Sequence, residues 1–239
     1  MTIEMKTPGG FPFRLSEITG DIGGRHRYVL GPNSHAAVCE LSTEIAYVSE
    51  PWLEKGDIFK FSQDNSMAEW SAILPWRNFE LNRFDIPEAD GFFRLSAGFR
   101  CSLPVPMVRY RFLSMENRTI FAFHRVDLPM KGYRLSDFMS ILMSSDNTYC
   151  GWSMRNFLRF TEFDGEFGGI SSSDFKEDDI EYRSIKFIFD NYCDEIIEQL
   201  NMDNREAVSR MESMAQGEQW PFRSKIFCFT LAGLKDFYF

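Results

Sequence analysis

The chain has 239 residues, 44% of them hydrophobic and 16% aromatic, enough apolar side chain for a packed core and too much for a disordered segment. The formal net charge is −9 and the pI about 5.0, which excludes a basic footprint for nucleic acid over the chain as a whole. The charge is also uneven: residues 1–132 carry a net −1 and residues 133–239 a net −8, with 12 acids against three cations between positions 162 and 198.

Residues 1–10 read as a loose start punctuated by Thr7-Pro8-Gly9-Gly10. The absence of a signal-like stretch there, five scattered cysteines (Cys39, Cys101, Cys150, Cys193, Cys228) without a CxxC pair, and no apolar run near the ~18 residues of a membrane span point to a cytoplasmic protein with reduced thiols and no membrane partner. The glycine-rich stretch 20–26 is flanked by Arg25 and Arg27, but it lacks the phosphate-loop spacing and reads as a turn feeding a strand. Residues 27–30 and 35–48 then read as a hairpin, with Glu40 and Glu44 sharing one strand face. His35 and Cys39 are four apart, a helical ligand spacing that a strand does not satisfy, so no metal site and no cofactor are expected.

Residues 57–61 alternate as a strand, 70–76 read as an irregular aromatic-rich segment, and 78–84 and 91–101 as further strands. Pro104 and Pro106 restrict their segment to an edge or a turn. The stretch 108–126, VRYRFLSMENRTIFAFHRV, is the clearest hairpin. A turn at Glu116-Asn117 sets Phe112 opposite Phe121 and Tyr110 opposite Phe123, with Val108 on the same buried face. Arg109, Arg111 and His124 are then expected on a solvated face, as a small anion-binding or nucleic-acid-binding patch.

From residue 133 the spacing turns helical. Ser136 suits an N-cap before Phe138, Ile141 and Leu142, and a second helix from Ser153 would bury Met154, Phe157 and Leu158. That αα-hairpin, 136–163, would present Arg155, Asn156 and Arg159, the pattern of a weak helix-turn-helix. Residues 164–173 resemble a linker, and Asp174 with Glu177 has capping-box spacing. The helix that follows carries Ile185, Phe189, Tyr192, Ile196 and Leu200 on one side and the acids Asp190, Asp194 and Glu198 on another. Residues 226–231 return to a buried strand, and no internal repeat is apparent.

The expected fold is α+β in a single domain over 1–239: an antiparallel sheet from the first ~130 residues and the C-terminal strand, covered on one side by helices, with 1–132 strand-rich and 133–239 acidic and helix-rich. GxSxG, HExxH and Walker A motifs are all missing, and no catalytic residue stands out. The leading expectation is a non-catalytic cytoplasmic interaction protein, conceivably an inhibitor, that docks a basic protein partner on Asp178, Asp179, Glu181, Asp190, Asp194 and Glu198. The alternatives are a nucleic-acid-binding regulator using the 136–163 αα-hairpin, and an enzyme of unknown class, for which an approach of Cys101 to His124 is one route.

Overall fold

A computed structural model describes residues 1–20, 25–30, 35–40, 56–75, 77–79, 86–98, 102–106, 108–125 and 129–163, with Asp179, Tyr182, Arg183, Lys186 and Asp190. In chain order the strands of the first half are β1 (Thr2–Lys6), β2 (Pro12–Ile18), β3 (Arg25–Leu30), β4 (His35–Glu40), β5 (Gly56–Phe61), β6 (Met67–Ile73) and β7 (Phe92–Ser96). Those of the second are β8 (Ser102–Pro106), β9 (Tyr110–Ser114), β10 (Thr119–Phe123), β11 (Met130–Arg134), β12 (Met139–Ser144), β13 (Tyr149–Arg155) and β14 (Thr161–Phe163). They form three sheets, ordered β1-β2-β7, β14-β3-β4-β6-β5-β8 and β11-β12-β13-β10-β9. Every named pairing is antiparallel except β14 beside β3.

This overturns the expected α+β fold with its helical cluster: the described residues are predominantly antiparallel β. The αα-hairpin at 136–163 is instead the β12–β13 hairpin followed by a short 3-10 turn, Phe157–Phe160, and β14. The cause is burial on both faces. All residues of β12 are buried, so Ile141 and Leu142 are apolar side by side, and a short apolar run reads equally as strand or helix. Ser136 does accept backbone N–H groups, from Phe138 and Met139, but it does so in the turn that joins β11 to β12. Outside that 3-10 turn, helical backbone among the described residues is confined to Asp179, Tyr182, Arg183, Lys186 and Asp190. The expected C-terminal strand at 226–231 lies outside the described residues.

The 108–126 hairpin has the register its alternation predicts, with Tyr110 opposite Phe123 and Phe112 opposite Phe121. Its faces are not as expected. Leu113, Ile120 and Ala122 enter the main core, while Phe121 and Phe123 enter a second, smaller cluster with Ile86, Met130, Leu142 and Cys150. The positive φ falls on Arg118 rather than on Asn117. Two other expectations shift: β1 lies where a loose start was read, and Trp70 lies within β6 in the core; the prolines of 104–106 sit on an edge strand, β8, as their sequence implied.

The chain contains an internal repeat. The segments 62–71, SQDNSMAEWS, and 144–153, SSDNTYCGWS, match at five of ten positions. The β5–β6 pairing of Phe59 with Trp70 recurs 82 residues on as Ile141 with Trp152, and the register shift after Lys60 recurs after Leu142. The β4–β6 pairing of Cys39 with Trp70 recurs in β10–β13 as Ala122 with Trp152. Each of the two larger sheets thus holds one four-stranded unit of the same order, β3-β4-β6-β5 and β9-β10-β13-β12. A strand ahead of each unit carries Phe-Arg-Leu-Ser, at 13–16 in β2 and 93–96 in β7, the latter with β8 intervening, and these two pair about a local two-fold through Leu15 and Leu95. Trp70 and Trp152 meet edge to face, 5.2 Å between ring centres, where the units pack.

Both edges of the second unit's sheet are engaged by the stretch between the repeats. At β9, Phe79 N–H donates to Arg111 O and Arg111 N–H to Arg77 O; at β11, Ala89 N–H donates to Gly132 O and Gly132 N–H to Pro87 O. These bonds cover edges that would otherwise template further strands. They also bring residues 86–88 to the outer face of the sheet.

Candidate functional site

On that outer face, strands β10, β12 and β13 form the floor of a cleft of about 400 Å³. Its apolar part is Phe121 and Leu142, walled by Ile86 and Pro87; its polar part is Glu88, Asn117, Thr119, Ser153 and Arg155. The strand period puts Ser153 and Arg155 of β13 on the side opposite Trp152 and Met154, which face the core. Glu88 forms a short ion pair with Arg155 and accepts a hydrogen bond of 3.0 Å from the Ser140 hydroxyl. Gly132 makes room for it: a Cβ there would stand 3.2 Å from Glu88 Cγ. Glu88 is therefore held on three sides, with its ion pair only partly exposed.

A second polar group lies inside the main core. Asp57 alternates with Phe59 and Phe61 on β5 and is fully buried. The Tyr149 hydroxyl donates to its Oδ2 at 2.6 Å, and Oδ1 has no partner among the described residues. Burial raises the Asp57 carboxyl to about 8, so it is protonated at neutral pH, the Tyr149 hydrogen bond opposing that rise. Burial, then the unfavourable Asp57 charge, pushes the Tyr149 hydroxyl well above its ordinary range. His124 stacks edge to face on Tyr149, and burial, with Arg109 adding to it, lowers its imidazole to about 4. These are acid–base groups by type, but Asp57 and Tyr149 sit neutral in the core, His124 is partly buried beside them, and none of the three lines the cleft.

The sequence-predicted sites fall as follows. Arg109 is exposed, His124 is partly buried, and Arg111 is fully buried, its Nε donating to Asn78 Oδ1 at 2.7 Å. The three therefore do not form a common solvated patch, because their hairpin face is the one that packs on the core. Arg155 lines the cleft, Asn156 takes a left-handed φ of 47° at the end of β13, and Arg159 lies over the Phe138 ring. Asp179 pairs with Arg118 at 3.0 Å and Asp190 with Lys186 at 2.7 Å, while Asp178, Glu181, Asp194 and Glu198 lie outside the described residues. Glu44 and Cys101 also lie outside them, as do the side chains of His35, Cys39 and Glu40.

Sequence reasoning missed Glu88 and Ser140, which come together only through the sheet-edge bonds at β11. It also missed Asp57, although an acid in phase with Phe59 and Phe61 was a readable sign of a buried carboxyl. Among the described residues no group of three or more His, Cys, Asp or Glu could hold a metal ion, and no helix is long and apolar enough to cross a membrane. No family model, no curated protein and no solved structure matches the chain.

Proposed function

We propose that the protein is a non-catalytic binding protein that seats a small ligand in the cleft between Glu88, Phe121 and Arg155. The observation that carries this reading is the convergence there of a held ion pair, uncharged hydroxyl and amide groups and an apolar floor. Few convergent polar groups over an apolar surface is the general pattern of ligand sites, whose volumes run from roughly 300 to 1,000 Å³. Asp57 and Tyr149, acid–base groups by type, are walled into the core instead. Screening a fragment library by amide chemical-shift mapping tests the reading: hits should move the amides of residues 117–121, 140–142 and 153–155. Hits confined to other surfaces would overturn it.

A second reading is docking of a basic protein partner on Asp178, Asp179, Glu181, Asp190, Asp194 and Glu198. It is favoured by the way Tyr182 anchors this segment, buried against Phe157 and under the Arg118 guanidinium. Asp179 and Asp190 already have cationic partners in Arg118 and Lys186, which a docking partner would have to displace or share. The cytoplasm is the compartment that the cysteine pattern favours for either reading.

A further inference from the structure

The cleft carries a more specific reading, which rests on the small-ligand function above. We infer that its ligand is a neutral polyhydroxylated molecule, a mono- or disaccharide, whose adjacent hydroxyls bridge Glu88 and Arg155. Among the described residues, the charged ones that line the cleft are these two, and they cancel. A ligand bearing net charge would leave water for a site that offers no net compensation, which is costly. A neutral ligand avoids that cost.

The ion pair is also fixed in place. Ser140 holds the Glu88 carboxylate from behind and Gly132 admits its side chain, so a ligand meets an intact pair rather than two free ions. A carboxylate has about four acceptor sites and a guanidinium five donors, so one pairing leaves capacity on both. A hydroxyl both donates and accepts, and two on neighbouring carbons can donate to Glu88 and accept from Arg155 together. An ammonium or a carboxylate suits one member and is repelled by the other. Phe121, packed over the buried Leu142, offers its apolar surface to the C–H face of a sugar ring, and the exposed Asn117 and the Ser153 that lines the cleft offer uncharged partners.

The internal repeat supplies an independent argument. By strand register, Arg155, Ser140 and Thr119 of the second unit correspond to Ile73, Ile58 and Ala36 of the first. Three apolar positions in one copy are polar in the other, and all three polar residues lie in or beside the cleft. Leu142 against Lys60 is the reverse exchange, and it completes the apolar floor. The units have kept their turns and their central tryptophans and have diverged at the cleft, as they have at the buried Asp57 and Tyr149.

The test is an amide chemical-shift titration of the full chain with D-glucose, D-galactose, D-mannose and N-acetyl-D-glucosamine, beside acetate, methylammonium and L-leucine. At least one sugar should saturably move the amides of 117–121 and 153–155. Glu88→Gln and Arg155→Met should each weaken it about tenfold or more, the usual cost of losing a charge-assisted hydrogen bond. Gly132→Ala, which displaces Glu88 without removing it, should weaken it as well, and the same spectra report that each variant is folded. Movement of the cleft amides by a charged probe and by no sugar would overturn the polyol assignment and leave the ligand seat standing. No movement there with any probe would overturn both.

Discussion

At the scale of single residues, the Asp57 carboxyl sets a pH dependence whose sign can be worked out. Unfolded, it ionises near 3.8; folded, near 8. Between those values the folded state holds a proton that the unfolded state has lost, so this group's contribution to stability falls as pH rises. His124 works the other way: its folded value of about 4 lies below the ordinary 6.5, so in that window the unfolded state holds the extra proton and stability rises with pH. The two oppose each other below 6.5, and from there to 8 Asp57 acts without His124. Asp57→Asn should therefore flatten the decline in urea midpoint between pH 6.5 and 8; an equally steep decline in the variant would remove Asp57 as its source. The repeat offers a second handle, because the positions of Asp57 and Tyr149 are held in the other unit by Met139 and Met67, both buried. A polar pair is thus not required by the fold at such a place, and apolar replacement of a whole buried pair is often tolerated. The double variant Asp57→Met, Tyr149→Met should fold, whereas Tyr149→Phe alone, which strands the carboxyl, should cost about 1–3 kcal/mol by urea denaturation.

At the scale of elements, the two repeated turns show how few residues define a hairpin. Ser62 and Ser144 each direct a hydroxyl to an aspartate two residues on and to the carbonyl of the residue four on, at 3.0 and 3.1 Å. Asn65 and Asn147 then take the left-handed φ values of 63° and 59° that close each turn. Asn147→Gly should be nearly neutral and Asn147→Ala should cost about 1 kcal/mol, since only the alanine meets the steric penalty of that region; thermal melts of the two variants check it, and equal losses would show that the Asn side chain rather than its backbone matters. The register of the β9–β10 hairpin was legible because alternation of aromatic with other residues fixes period two. Which face meets the main core was not, because Leu113, Ile120 and Ala122 on one side compete with Tyr110, Phe112, Phe121 and Phe123 on the other. The same two-sided burial disguised β12 and β13 as helices. The repeat is faint in the sequence because, apart from Phe-Arg-Leu-Ser and one tryptophan, its shared residues are Ser, Asp and Asn, common in any turn, and the pairing registers are what align its two copies. Of the cleft, the sequence singled out Arg155, but as a cation on the outer face of a helix, and nothing local to Glu88 links it to Arg155.

At the scale of the whole molecule, the repeat and the core together make a claim about cooperativity. The main core draws Phe59 and Trp70 from the first unit, Ile141 and Trp152 from the second, and Phe13, Leu15, Phe93 and Leu95 from the small sheet where β2 and β7 pair. A unit taken alone would expose the face around its tryptophan. Fully burying one large apolar side chain is worth about 1.5–3 kcal/mol, so separating the units would forfeit many such contributions at once. The edge bonds of residues 77–79 and 86–89 add backbone ties from the stretch between the repeats to the second unit's sheet. The described units should therefore unfold as one. Urea curves followed by tryptophan fluorescence and by far-ultraviolet circular dichroism should superimpose, with a common midpoint that Trp70→Phe and Trp152→Phe each shift to lower urea. In a double-mutant cycle the two substitutions should couple by about 0.5–1.5 kcal/mol, the range for an edge-to-face aromatic pair. If the curves separate, or if each tryptophan substitution moves only one of two transitions, the units are independent, and the Trp70–Trp152 packing would have to be read as a contact between domains rather than as the centre of a shared core.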